Sequence, residues 1–67
     1  MESQTIRSTK KGEYITLKPI ANPKPGQVWI KDSYDRETER YMLVNFADIS
    51  KSKLVPGHKL CYTDFTF

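Results

Sequence analysis

"KPGQVWIKDSYDRETERYMLV", residues 24–44, decides how this chain is read. The segments "QVWIKDSY" and "RYMLVNF" are rich in β-branched and aromatic residues and flank the charged "DRETE". Two strands joined by a hairpin are therefore expected. On a pleated strand Val28 and Ile30 point to one side while Trp29 and Lys31 point to the other. In the second strand Tyr41 and Leu43 share one face, and Met42, Val44 and Phe46 the other. Both strands are thus apolar on two sides, which a free-standing sheet with one wet face would not show. The pattern is expected where a short sheet curls over itself, or where a loop covers its outside, as in small SH3-like or OB-like barrels.

Working outward, "EYITLKPI" alternates with Ile15 and Leu17 on one face and Tyr14, Thr16 and Lys18 on the other, a half-buried first strand. Pro19, Pro23 and Pro25 remove three amide donors, so "PIANPKPG" is a loop ending in a Pro-Gly turn. "NFADISKSK" is too short and too serine-rich for a helix and predicts a single turn. Pro56-Gly57 is placed for a type II turn, with a final strand from Lys59 to the carboxyl end. Residues 1–11 hold one large aliphatic residue after Met1, too little to offset their ordering entropy. The expected architecture is all-β: a flexible basic N-terminal arm over 1–11, then a single small barrel over 12–67. That barrel has four to five antiparallel strands and at most one short helical turn.

The 67 residues allow one domain, and a chain this short hides only about 60% of the surface its unfolded form exposes. Such a core seldom also encloses an enzyme pocket of roughly 300–1,000 Å³, so a non-enzymatic role with no small-molecule substrate is expected. The single Cys61 cannot form an internal disulfide, and "MESQTIRSTKKGE" has no apolar run to serve as a signal. No stretch is apolar enough to span a membrane. A soluble, cytoplasmic protein with no membrane partner follows.

Net charge is +3, divided as +3 over residues 1–26, −2 over 27–49 and +2 over the remainder. Basic ends around an acidic hairpin favour a polyanion without demanding one.

His58, Cys61 and Asp64 are the one set resembling a nucleophile, base and orienter, but an extended strand puts Cys61 on the face opposite the other two. One Cys and one His fall short of any zinc spacing, and Asp35, Glu37 and Glu39 are interleaved with Arg36 and Arg40 at a solvated tip. No catalytic residue, metal or cofactor is assigned.

What remains is aromatic residues beside cations: Tyr14 with Lys18, and Trp29 with Lys31. Bases stack on such rings at about 1–3 kcal/mol each while lysines hold phosphates. The candidate nucleic-acid contacts are Tyr14 and Trp29 as stacking surfaces, with Lys10, Lys11, Lys18, Lys31 and Lys59 on phosphates. An equally simple reading packs Trp29 under "PIANPKPG" and leaves Tyr14 at the sheet rim with the lysines solvated. The alternative function is a protein-interaction module or homodimer working through an exposed edge of the apolar terminal strand "DFTF".

"KGEYITLKP" (11–19), "SYDRETERYMLV" (33–44) and "YTDFTF" (62–67) together resemble a type of short, uncharacterised bacterial open reading frame associated with phages or mobile elements. The resemblance covers residues 11–67. It implies a compact β protein of bacterial or phage origin, with no established catalytic residues to carry over. "PKPGQVWIKD" also looks like the opening strand of many SH3-like barrels, including toxin and ribosome-associated modules.

Overall fold

In the computed structural model, residues 3–66 are described. Six strands form: β1 (Ser3–Thr5), β2 (Tyr14–Ile15), β3 (Trp29–Asp35), β4 (Arg40–Asn45), β5 (Ser52–Pro56) and β6 (Leu60–Tyr62). β2-β3-β4-β5 make a curled antiparallel meander, and β1 pairs with β6 in a two-stranded sheet. Thr16 and Tyr62 exchange two backbone hydrogen bonds of 2.9 Å just beyond β2, which joins the two sheets. The result is all-β and barrel-like. Its four-stranded sheet is a curled half-barrel whose unbroken meander lacks the Greek-key crossing of an OB-fold. Among the described residues no helix is long and apolar enough to cross a membrane.

Register assigns the faces, because directly paired residues share a side of the sheet. Ile15, Trp29 and Asn45 form one inner row, and Lys31, Leu43 and Lys53 the next. Ile6, Ile15, Leu43, Val55 and Cys61 make the buried cluster, with Leu17, Trp29 and Tyr41 packed against it. Ile30, Met42, Val44 and Leu54 lie on the outer side, half-buried. Between Lys31 and Tyr34 the β3–β4 register slips by one residue, so Asp32 and Ser33 together face Met42. This bulge returns Tyr34 to the inner side opposite Tyr41, where simple alternation would have turned it outward.

Four expectations are corrected. The first concerns the arm expected over 1–11, whose described residues, 3–11, are not loose. Met1 and Glu2 lie outside the described residues, but Ser3–Thr5 pair with β6, Ile6–Ser8 form a 3-10 turn, and Ile6 is fully buried. Arg7 N–H also donates to Gly57 O at 3.0 Å. The segment does not need its own core. Backbone pairing satisfies its polar groups, and inserting Ile6 stabilises the fold by about 1.5–3 kcal/mol.

Second, β2 is only two residues long, because the chain leaves β3 at Thr16 to bridge β6. Third, there are two 3-10 turns, Ile6–Ser8 and Pro25–Gln27, where at most one was expected; the "NFADISKSK" stretch does close as the single turn expected, between Asp48 and Lys51. Fourth, Pro56 ends β5 and Lys59 N–H closes a turn onto Pro56 O, so Gly57 occupies the first central position without a positive φ. Glycine is favoured there by space, because a side chain would have to push its neighbours aside. A Cβ at Gly57 would stand 3.0 Å from Tyr41 Cε2 and 3.2 Å from Arg7 Nε.

Candidate nucleic-acid interface

The groove at the Trp29 end of the sheet is built from three segments. Trp29, first residue of β3, faces inward and is part-exposed, with Leu17, Lys18 and Ile20 on one side, Gln27 from the 3-10 turn, and Lys53 from β5. The space they line is about 190 Å³. Lys53 Nζ sits 4.6 Å from the Trp29 ring centroid, within cation–π range. None of these lining residues is acidic.

Local hydrogen bonds hold the walls. The Lys18 carbonyl accepts from Thr16 Oγ1 and from Ile20 N–H, both at 2.8 Å, fixing the backbone that presents the Lys18 side chain. The 3-10 turn is closed reciprocally: Gln27 N–H donates to Lys24 O at 2.8 Å, and Lys24 N–H donates to Gln27 Oε1 at 2.9 Å. Buried Asn45 ties that turn to β4, donating from Nδ2 to Gly26 O at 3.0 Å while its Oδ1 accepts from Ala47 and Asp48 N–H. Asn45 was not foreseen as a positioning residue; a polar side chain at an inward-facing strand position is the signal that could have found it.

Burial lowers the Lys53 ammonium below its usual 10.5, and the positive charge of Lys59 lowers it further. Two cations thus disfavour each other beside the Trp29 ring.

Of the foreseen contacts, Trp29 and Lys18 line the groove, joined by Lys53, which was missed; Lys59 is not a lining residue and reaches the site only through its charge on Lys53. Tyr14 does not. It is 46% exposed but lies on the outer side beside Ile30, meeting Phe46 edge-on at 5.5 Å and 70°. Adjacent strand residues face opposite ways, so Tyr14 and the partner row of Trp29 cannot form one stacking platform.

Lys31 is a correction of a different kind. At 6% exposure it is a core residue: its Nζ donates to the Thr9 carbonyl and stands 4.5 Å from the Tyr41 ring centroid. Burial lowers its pKa, while the charges of Cys61 and Glu13 pull the other way. The N-terminal segment covers it, so it is not a surface cation. Lys10 and Lys11 are exposed on the turn before β2, where Lys10 N–H donates to Glu13 Oε2 at 3.3 Å. They are not among the residues lining the groove.

The expected exposed terminal edge is also covered. Leu60–Tyr62 pair with Ser3–Thr5 on one side and, at Tyr62, with Thr16 on the other. Thr66 N–H donates to Ala21 O at 3.0 Å, laying the tail along the proline loop, while Phe67 is outside the described residues. β5 is the open edge of the meander, and Lys51, Lys53 and Pro56 on or beside it are the residue types that blunt edge pairing. Cys61 is buried whereas His58 and Asp64 are exposed. Comparison with known proteins gives no match to a family model, a curated protein or a solved structure.

Proposed function

We propose that the protein is a non-enzymatic, cytoplasmic binding module that holds single-stranded nucleic acid in the Trp29 groove. A base stacks on the indole as Lys53 swings from the ring to a phosphate, and Lys18 and Lys59 take neighbouring phosphates. The observation that carries this reading is the pairing of Lys53 with Trp29 at 4.6 Å, in an open groove whose lining residues include Lys18 and no carboxylate. Stacking needs an unpaired base, so single strands are preferred over duplex.

The test is a titration with a fluorescently labelled oligonucleotide at two salt concentrations, followed in parallel by Trp29 emission. Three phosphate contacts predict that log affinity falls with log salt at a slope of about −2, from roughly −0.7 per contact on a single strand. Trp29 emission is quenched on saturation, and Lys53→Ala makes the slope shallower by about one contact. Absence of binding at low salt, or equal binding of duplex with unchanged Trp29 emission, overturns the reading.

A further inference from the structure

At the far end of β3 a second cleft, of about 210 Å³, is lined by Arg7, Tyr34, Glu39, Tyr41 and Gly57. It plays no part in the groove described above. Residues from the 3-10 turn after β1, from β3, from the hairpin tip, from β4 and from the β5–β6 turn meet there.

Three features shape its aromatic wall, in which Tyr34 is 47% exposed. The β-bulge turns Tyr34 inward against Tyr41, with ring centroids 4.8 Å apart and planes at 56°. Tyr41 is braced by the buried Lys31 ammonium and by Gly57, whose missing Cβ lets the ring and the Arg7 stem settle onto the turn. Glu39 holds φ at 56°, a left-handed conformation that glycine or asparagine would adopt at lower cost, and it faces this cleft.

The charges define the occupant. A guanidinium and a carboxylate line the same small space, yet among the described residues neither has an ion-pair partner. Arg7 disfavours a simple cation against the rings, and Glu39 disfavours a simple anion. We infer that this cleft binds a small dipolar ligand of free amino-acid size, its carboxylate on Arg7, its ammonium on Glu39 and its side chain against Tyr34 and Tyr41.

The experiment titrates ¹⁵N-labelled protein with L-leucine, N-acetyl-leucine and leucine amide, following backbone amide signals. Leucine is expected to move the Tyr34, Tyr41 and Gly57 signals saturably, and each blocked analogue to bind at least about tenfold more weakly. Arg7→Gln removes the preference for leucine over its amide, and Glu39→Gln removes the preference over N-acetyl-leucine. Both side chains are exposed, and the dispersion of the spectrum reports that each variant is folded. No saturable shift, equal binding of the three compounds, or discrimination that survives both substitutions overturns the inference.

Discussion

Lys31 and Lys53 lie on the same face of the sheet, one on either side of Leu43, and each ammonium stands against an aromatic ring, at 4.5 Å and 4.6 Å. One is sealed into the core and bonded to a backbone carbonyl; the other opens onto a groove beside a second lysine. Their own strands do not account for the contrast. The chain returns over Lys31 through Ile6–Thr9, while the Trp29 end is only flanked by the proline loop. A lysine over an aromatic ring is thus a structural brace or a ligand contact according to what covers it.

The sharpest way to break this contrast is to remove the cover. Ile6→Ala deletes a fully buried side chain that belongs to the covering segment and the core alike. It is expected to cost about 2–5 kcal/mol in chemical denaturation, enough to threaten folding at this size. A result under about 1 kcal/mol would mean that residues 3–9 do not hold the barrel together.

Next in size is the paired substitution of the two lysines. Lys31→Ala leaves the Thr9 carbonyl without its side-chain donor and is expected to cost about 1–3 kcal/mol, with little change in oligonucleotide binding. Lys53→Ala is expected to stay within about 0.5 kcal/mol in stability while weakening binding. Equal stability losses would erase the distinction.

The smallest effect is a pH dependence of the covered side. Burial pushes the Cys61 thiol above its ordinary value of 9.0, Glu13 adds to the rise and Lys31 opposes it. Below 9.0 the thiol is protonated whether the chain is folded or not. Above 9.0 the unfolded chain ionises first, so the native state holds more protons and stability falls as pH rises through the raised native value. Lys31 acts in the opposite sense, since its lowered native value makes stability rise with pH up to 10.5. Comparison with Cys61→Ala separates them: the stability advantage of the native chain over the variant should shrink above pH 9.0, by at most about 1.4 kcal/mol per pH unit. A constant difference would show that the thiol is not shielded.

The β3–β4 hairpin and the proline loop were legible because each follows from local alternation or from proline geometry, whereas alternation grouped Lys18 with Tyr14 and its meeting with Trp29 was not legible. Two misreadings had one origin. Ser3–Thr5 looked too polar to be ordered and β6 looked uncovered, yet each covers the other through backbone hydrogen bonds that no side-chain pattern announces. Gly57 was read for its freedom in φ, whereas the close approach of Tyr41 and Arg7 is what disfavours a side chain there. That Tyr34 faces inward was not legible, because a one-residue bulge leaves no mark in "KDSYD".

By itself the sequence determined that the chain forms short antiparallel strands around one small core, because strand period, turn residues and proline act over a few neighbours. Only the tertiary structure decided which lysine is buried, which aromatic is open and where the two charged clefts lie. Those outcomes depend on residues 3–9 and 60–66 meeting segments far from them in the chain, and burial, unlike alternation, is set by whatever part of the molecule arrives on top.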